Sequence, residues 1–285
     1  MNRHYILVTA AKNEGKNLPR LIQSIVEQSI RPVVWVIIDD GSIDNTPEIL
    51  KEAKKKYEWI QSVRLQSKAK DKDIGFHLSS VMIEAFNFAI EYCKKNGIDY
   101  EYLGNVDGDM ILEHKFFEKL LIEFEKDEKL GIAGGGVQYI KSGKVIQIFG
   151  DVEEPSGGLM LIRKKCFEDC GGIQLSCCWD SVLKAKARLR GWKTKRFEHV
   201  KGIETRIPGS ENYWMRGLHG GESAYYLNLN PFNVFVRSIK LCRKSFRRGI
   251  AYMLGYIICF LQRKEKIHDE EIRKYFWNKW KNRLR

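Results

Sequence analysis

Two aspartates separated by a single glycine form the most informative part of this sequence for chemistry. Residues 102–109 read YLGNVDGD, so Asp107 and Asp109 stand on a turn that leaves an apolar strand. Mg²⁺ and Mn²⁺ prefer oxygen ligands and keep coordination positions for substrate phosphates. Gly108 lets the chain bend so that both carboxylates can face one point. Because Asp-x-Asp also occurs in loops that bind no metal, the prediction of a divalent-metal site depends on what surrounds the pair.

The first fifty residues supply a second acidic turn and the elements that would place it beside the first. Apolar patterning predicts a strand over 5–10, a helix over 18–28 and a second strand over 33–39, which ends in Asp39 and Asp40. Such a segment is a βαβ unit, and ligands of these sheets bind beyond the carboxyl ends of the strands. Both acidic turns are therefore predicted at one edge of the sheet.

The alternation of strands and helices continues and predicts an α/β fold. Further strands are predicted over 60–65 and 100–105, and further helices over 47–56, 78–94 and 115–126. This pattern predicts a mostly parallel, doubly wound sheet with helices on both faces. After Gly131 the pattern changes to short strands, over 132–137 and 145–149, with glycines between them.

Several short motifs occur in an order that resembles a known family. They are Asn13-Glu14, Ile38-Asp39-Asp40-Gly41-Ser42-Ile43-Asp44, Val106-Asp107-Gly108-Asp109, Gly157-Gly158-Leu159, Cys170-Gly171-Gly172, Trp179-Asp180 and Arg188-Leu189-Arg190-Gly191-Trp192-Lys193. Together they resemble family 2 glycosyltransferases, and the resemblance covers roughly residues 5–210. It implies the GT-A fold, the fold of nucleotide-diphospho-sugar transferases, followed here by a C-terminal helical tail.

The resemblance also implies an activity. It is that of a metal-dependent, inverting glycosyltransferase of hexosyltransferase type, which moves a sugar from a nucleoside diphosphate sugar to a hydroxyl of a lipid-linked or polysaccharide acceptor. A nucleotidyltransferase acting on sugar phosphates is an alternative, although residues 13–17 (NEGKN) make a poor phosphate loop. A non-catalytic protein that binds membrane or nucleic acid through its basic residues is another, but an acid-lined pocket repels nucleic acid, so none is expected as a ligand.

The metal, Mn²⁺ or Mg²⁺, is the cofactor that the resemblance implies. Asp109 is the direct ligand in this comparison, and Asp107 contacts the ribose or a metal-bound water. The family often has a His near the position of Glu204, where a carboxylate also suits these ions. His199 and His219 are the alternatives for this third ligand.

The nucleotide is predicted to bind at the ends of the first two strands. The candidates are Thr9, Ala10, Ala11, Asn13, Glu14, Asp40 and Asp107. In the family, the acid that matches Asp40 binds the uracil ring, so UDP is favoured, with GDP and dTDP as alternatives. Turn formation or helix capping is the alternative role for Asp39, Asp40 and Glu14. Lys12 stands where many members have an aromatic residue, which leaves the base less certain.

The acceptor side is predicted from Gly157, Gly158 and Trp179 together with Asp180. Inverting transfer needs a carboxylate that takes the proton of the acceptor hydroxyl, and the resemblance assigns this role to Asp180. Asp180 also opens a predicted helix over 181–190, so it can equally be read as a helix cap. Trp179 either stacks on a sugar ring or belongs to the core.

Charge is distributed unevenly along the chain. Forty-nine basic and thirty-six acidic residues give a net charge of +13. Many bases lie near the C-terminus, at Arg237, Lys240, Arg243, Lys244, Arg247, Arg248, Arg263, Lys264 and Lys266. They flank an apolar run over 249–261, which as a helix is about 20 Å long and too short to cross a membrane. This run is predicted either to contact an anionic membrane surface or to pack on the catalytic domain.

These observations predict a domain division and a location. Residues 1–230 are predicted as the catalytic domain, with a nucleotide half over about 1–110 and an acceptor half over about 111–230, and residues 231–285 as the tail. Glycines 217, 220 and 221 predict a mobile active-site loop. The odd number of cysteines, seven, and a first strand that starts near the N-terminus predict reduced thiols in the cytoplasm. The membrane alternative for the tail would place the protein peripherally on the inner face of the cell membrane.

Overall fold

The computed structural model describes residues 3–66, 74–141, 143–206 and 213–279. The chain divides into two compact units, Met1–Ile207 and Pro208–Arg285. The boundary therefore lies earlier than the predicted position 230. The reason is that the first helix after the boundary packs against a later helix of the tail and so belongs to the helical unit.

The first unit is an α/β domain. Its strands are β1 Tyr5–Ala11, β2 Val34–Asp39, β3 Ile60–Arg64, β4 Tyr102–Val106, β5 Met110–Leu112, β6 Leu130–Lys141, β7 Lys144–Ile148, β8 Leu159–Arg163 and β9 Lys193–Glu204. Its helices are α1 Leu18–Val26, α2 Thr46–Lys56, α3 Ile74–Asn96, α4 Phe116–Lys126, α5 Lys164–Asp169 and α6 Trp179–Leu189. The predicted strands and helices are all present, and most of their ends agree to within two residues.

One sheet contains all these strands, in the order β3-β2-β1-β4-β8-β6-β9-β5, with β7 paired to β6. The pairs from β3 to β4 are parallel, as predicted for a doubly wound α/β fold. Beyond β4 the sheet is mixed, because β8 runs antiparallel to both β4 and β6, and β5 runs antiparallel to β9. The pair β6 and β7 is also antiparallel, because the hairpin that joins these strands is too short to hold the crossover helix that parallel neighbours need.

The core lies on both faces of the sheet, as the predicted layers require. Strand β2 is buried along its whole length, and its side chains alternate between the two faces. Trp35 and Ile37 pack in the cluster that also contains α1, α2 and α4. Val36 and Ile38 pack in the other cluster, with α3, α5 and α6. The sheet is therefore held rigidly between helices, and its edge can position the acidic turns.

The second unit is helical. It comprises α7 Tyr213–Tyr226, α8 Pro231–Lys244, α9 Phe246–Leu261 and α10 Glu270–Trp277. Asn230, Ser245 and Asp269 cap the last three helices by accepting a hydrogen bond from a backbone N–H in the first turn. Among the described residues, no helix is both long enough and apolar enough to span a membrane.

The glycines predicted to make a mobile loop lie inside α7 instead. At Gly217 and Gly221 the backbone of α7 approaches α9 so closely that a side chain does not fit. A Cβ on Gly221 would lie 2.0 Å from the carbonyl oxygen of Tyr252. The loop prediction is therefore wrong for 213–226, because these glycines permit a close helix crossing rather than motion. Asn212, where that predicted loop begins, lies outside the described residues.

Candidate active site

The acidic turns meet at one edge of the sheet. Asp40 follows β2 and Asp107 follows β4, and both strands are parallel neighbours of β1. Asp109 immediately precedes β5, whose first residue, Met110, pairs with Glu204 at the end of β9. The fold therefore gathers carboxylates that are far apart in the sequence.

Asp107 lies at the centre of this acidic group. Its pKa is raised to about 7. Burial among protein atoms in the cleft is the largest cause and the Asp109 carboxylate the second, and Asp180 and Glu204 add further repulsion, whereas a hydrogen bond from Asn105 acts in the opposite direction. The side chain nevertheless keeps an exposed surface, so a ligand can reach it. A cation bound here would relieve the repulsion.

Asp109 is buried beside an arginine. Its side chain is largely shielded from solvent, and burial raises its pKa. The Nε atom of Arg206 lies 3.4 Å from Oδ2 of Asp109, and the same guanidinium pairs with Glu14. Glu14 also accepts a hydrogen bond from Asn17 at 2.8 Å. Glu14 is thus engaged by protein partners, and Asp109 faces a positive charge at the position where a metal is predicted.

Asp107 and Asp109 fit a divalent ion in chemistry. Among the described residues, no three His, Cys, Asp or Glu side chains form one group that could hold a metal. The aspartate pair still fits, because both pKa values are raised by an environment that a cation would make favourable. The other ligands would come from the diphosphate and water, as is usual for Mg²⁺. Glu204 is near enough to raise the pKa of Asp107.

His199, one of the two histidines proposed as a third ligand, lies away from the acidic turns on β9. His199 is exposed and packs edge-on against Phe197, with ring centroids 5.8 Å apart. It precedes Glu204 by five residues of β9, which is about 15 Å of strand. The structure therefore does not bring His199 to the aspartate pair. His219 lies in α7 of the second unit.

Asp40 has two side-chain nitrogens close to one of its oxygens. Lys12 Nζ lies 3.1 Å and His77 Nε2 2.8 Å from Oδ2 of Asp40, which is buried. Lys12, the departure from the family pattern, thus pairs with the residue that is predicted to bind the base. Asp39 has the structural role that the sequence left open, because its Oδ1 accepts a hydrogen bond from the backbone N–H of Ser42 at 2.8 Å.

The other nucleotide-side candidates shape the loops. Asn13 adopts a left-handed conformation, with φ of 56°, and its Oδ1 accepts a hydrogen bond from the backbone N–H of Ile43. Thr9 is fully buried and donates to the carbonyl oxygen of Val106 at 2.8 Å, so its side chain cannot contact a ligand. Ala10 and Ala11 complete β1. These residues fix the two loops rather than offering free polar groups.

Asp180 lies in the first turn of α6, beside a glycine segment. A Cβ on Gly157 would lie 2.7 Å from Cβ of Asp180, and one on Gly158 would lie 1.9 Å from Oδ2 of Asp107. Lys184, one helical turn later, donates to Oδ2 of Asp180 at 2.9 Å. The segment at Gly157 and Gly158 is therefore packed between the two acids. The N-cap of α6 is Cys178, so Asp180 does not have the capping role that was its alternative.

Trp179 belongs to the core, which is the other interpretation that the sequence allowed. It is 6% exposed and packs with the residues of the α3, α5 and α6 face. Its side chain is therefore not available to stack on a sugar.

Three side chains near the acids were not predicted from the sequence. They are Asn105, His77 and Lys184. Spacing offered a signal for Lys184 alone, because it follows Asp180 by four residues on a predicted helix. His77 reaches Asp40 from α3, and Asn105 donates to the carbonyl oxygen of Gly157 at 2.6 Å. Both contacts join segments that only the tertiary fold brings together.

Comparison with known proteins indicates the family to which this chain belongs. The model of the family "Glycosyl transferase family 2" matches residues 6–167. A poly-β-1,6-N-acetyl-D-glucosamine synthase of Staphylococcus epidermidis is 23% identical over 88% of this chain and 63% of its own length. The chain thus spans less than two thirds of that relative.

Solved structures confirm the fold. A mannosyltransferase of Pyrobaculum calidifontis, in complex with GDP-Man and Mn²⁺, has a TM-score of 0.63 at 13% identity and covers 92% of this chain and 88% of its own. The structure of S. aureus TarS 1–349 in complex with UDP has a TM-score of 0.55 at 13% identity, and the match covers 72% of this chain and 61% of the TarS chain. The GT-A fold is confirmed by these likenesses. Because the family model matches more than half of the 285 residues, the chain belongs to glycosyltransferase family 2.

Proposed function

We propose that this protein is a metal-dependent, inverting glycosyltransferase that moves a sugar from a nucleoside diphosphate sugar to a hydroxyl of a lipid-linked or polysaccharide acceptor. The observation that carries the proposal is that Asp107 lies near the carboxylates of both Asp109 and Asp180, while the glycine segment 157–158 packs against Asp107 and Asp180. This arrangement offers a metal-binding pair and a separate carboxylate in one cleft.

The donor binds at the carboxyl ends of β1, β2 and β4. Asp40 would accept a hydrogen bond from the base. Asp107 and Asp109 would hold Mn²⁺ or Mg²⁺, with Glu204 as the third candidate ligand. When bound, the ion neutralises the charge that develops on the departing diphosphate. We favour UDP because Oδ2 of Asp40 already has Lys12 and His77 as neighbours. The other oxygen of Asp40 is then left for a base with a single imide N–H, such as uracil. Guanine offers an amino group beside its ring N–H, so GDP is less well matched. Thymine has the same imide as uracil, so this contact does not distinguish dTDP from UDP.

The acceptor is activated by Asp180. Its carboxylate takes the proton of the acceptor hydroxyl as that oxygen attacks the anomeric carbon. Lys184 holds Oδ2 of Asp180, which leaves the other oxygen for the proton. The backbone at Gly157 and Gly158 packs against both Asp180 and Asp107, so this segment links the proposed base to the donor side of the cleft. Here these residues would line the acceptor side.

The acceptor class is proposed from the relative that makes a polysaccharide and from the basic tail. The S. epidermidis relative is named as a poly-β-1,6-N-acetyl-D-glucosamine synthase. The apolar and basic helices of the second unit add peripheral contact with an anionic membrane to the proposal, on the cytoplasmic face.

A donor screen tests this function. UDP-, GDP- and dTDP-sugars are each incubated with the full chain and Mn²⁺, and nucleotide release is measured with and without EDTA. We expect release from a UDP-sugar that stops in EDTA. Asp180→Asn should keep donor binding and lose transfer by roughly 10²-fold or more. The control Glu58→Gln changes an exposed acid that precedes β3, and it should behave as wild type. Release that is equal in EDTA, or transfer that survives Asp180→Asn, would overturn the assignment.

A further inference from the structure

Beyond its first turn, helix α9 presents an apolar surface to solvent. Its inward side consists of small and aromatic residues, Gly249, Ala251, Tyr252, Gly255, Tyr256 and Cys259, all buried. The outward side consists of large apolar residues, Phe246, Ile250, Leu254, Ile257, Ile258, Phe260 and Leu261, all exposed. A helix on the surface of a water-soluble protein normally has the opposite polarity. We call these seven outward residues the α9 apolar face.

The degree of exposure on this face is large. Phe246 is 70% exposed, Phe260 60% and Leu261 73%. Helix α8 has a second, shorter stripe of exposed apolar residues at Phe232, Phe235 and Ile239. A contiguous exposed apolar surface of this kind marks a site of contact with a protein or a membrane.

The charges around the face indicate which of these it meets. Residues 223–264 contain eight Lys and Arg residues and no Asp or Glu. Lys240, Arg243, Lys244 and Arg247 are exposed in the last turns of α8 and the first turn of α9, and Arg263 is exposed beyond the C-terminal end of α9. Bases therefore flank the apolar face at both ends. The partner must accept apolar side chains and also carry negative charge.

The local potential is strongly positive. The pKa of Arg248 is lowered, first by burial and then by repulsion from Arg216 and Arg237. A second copy of this chain would bring the same eight bases to the interface, so that like charges would oppose association. A nucleic acid would meet the bases but would leave the apolar face in water. An anionic lipid surface satisfies both features.

We propose that α9 docks the protein on an anionic lipid bilayer, with the helix in the plane of the interface, its apolar face among the acyl chains and the flanking bases at the headgroups. Interfacial helices bind in this way, by combining buried apolar area with attraction to anionic lipid. The inference deepens the membrane contact of the proposed function by assigning it to named residues. It rests on that function only for the place of the reaction, since lipid binding and sugar transfer are measured separately.

Vesicle flotation of the full chain tests the apolar face. The vesicles contain phosphatidylcholine alone or mixed equally with phosphatidylglycerol. We expect binding to the mixed vesicles only, and loss of binding in the triple variant Ile250→Gln, Ile257→Gln and Leu261→Gln. The matched control removes three exposed apolar residues of the first unit, Val145→Gln, Phe149→Gln and Val152→Gln, and should bind as wild type. Circular dichroism confirms that both variants are folded.

A second pair of variants tests the charges. Lys240→Gln, Arg243→Gln and Lys244→Gln together should weaken binding about 100-fold, the effect expected from three bases near an anionic surface. The control removes three exposed lysines of α2 and α3, Lys51→Gln, Lys54→Gln and Lys95→Gln, and should change binding less than threefold. Added salt should weaken the vesicle binding of the wild type more than that of the charge variant.

A reporter places the helix directly. In Ile257→Trp, the new indole should be quenched by brominated acyl chains in mixed vesicles, beyond the quenching of the wild type. The proposal fails if the wild type does not float with mixed vesicles, or if the apolar triple variant floats normally. It also fails if sedimentation shows a wild-type dimer that the apolar triple variant dissociates, because a second copy then covers the face.

Discussion

Replacing Lys184 by Met should impair sugar transfer while sparing the donor site. Lys184 is 4% exposed, and its Nζ donates to Oδ2 of Asp180 and to the carbonyl oxygen of Pro155, both at 2.9 Å. It also lies 3.6 Å from a carboxylate oxygen of Glu154. Met fills much of the same space without the charge. The substitution therefore removes the group that fixes Asp180 and leaves the volume of the core nearly unchanged.

The expected magnitudes follow from these contacts. Each hydrogen bond to a charged group contributes roughly 1.5–3 kcal/mol to stability. The loss of stability should be smaller than the sum of these bonds, because Asp180 is partly open to water and Glu154 keeps a second partner in Arg188. We therefore expect the free energy of unfolding to fall by about 2 kcal/mol. A misplaced catalytic group can cost about 100-fold in rate, and we expect transfer to fall about 10- to 100-fold.

The assay separates positioning from folding. Transfer rates and donor KM are measured alongside Mn²⁺-dependent UDP binding, which should be unchanged because Lys184 does not contact the aspartate pair. The control is Lys165→Met, which removes an i to i+4 pair of the reverse order, Lys before Asp, at an exposed site, 3.1 Å from Asp169. This variant should alter neither stability nor rate appreciably. Transfer at the wild-type rate in Lys184→Met, or equal losses of transfer and donor binding, would refute the positioning role.

Three further predictions concern the cleft and the helical unit. Protons compete with metal at Asp107, whose pKa is about 7. As the pH increases towards 7, the Mn²⁺-dependent affinity for UDP should therefore rise about tenfold per pH unit, and above pH 7 it should level off. An affinity that is constant from pH 5 to 8 contradicts this. Gly158→Ala puts a Cβ 1.9 Å from the Asp107 carboxylate, so calorimetry should show at least about tenfold weaker binding of UDP with little change in the thermal midpoint. Gly221→Ala should destabilise the helical unit by about 3 kcal/mol in denaturant unfolding, whereas Gly220→Ala, whose Cβ comes no closer than 3.1 Å to Tyr252, should be neutral or stabilising.

The first half of the fold was predictable because its signals are local. A buried strand such as β2 is a continuous apolar run, and the acidic turn that follows it lies at its carboxyl end by the geometry of the βαβ unit. The same logic placed Asp107 near Asp40. Beyond β4 the sheet becomes mixed, and that order depends on the pairing of β8 with both β4 and β6. Such pairings join segments that are distant in the sequence, so the hydrophobic pattern of each strand does not reveal its partner.

The glycines of α7 show how one residue type can support opposite predictions. Gly217 and Gly221 suggested a flexible loop, yet they let two helix backbones touch. Spacing of four residues is compatible with a helix face, but nothing local states that a partner helix lies against it. His77 was missed for the same reason, because its contact with Asp40 spans 37 residues.

The aspartate pair carries the central claim, and calorimetric titration of UDP into the full chain tests it most directly. The account predicts that UDP binds in Mn²⁺ and not in EDTA, and that Asp109→Asn abolishes this binding while Glu58→Gln preserves it. The thermal midpoint in EDTA should be no lower in Asp109→Asn than in wild type, since the substitution removes a carboxylate whose pKa burial has raised. UDP binding of equal strength in EDTA, or unchanged Mn²⁺-dependent binding in Asp109→Asn, would contradict the account.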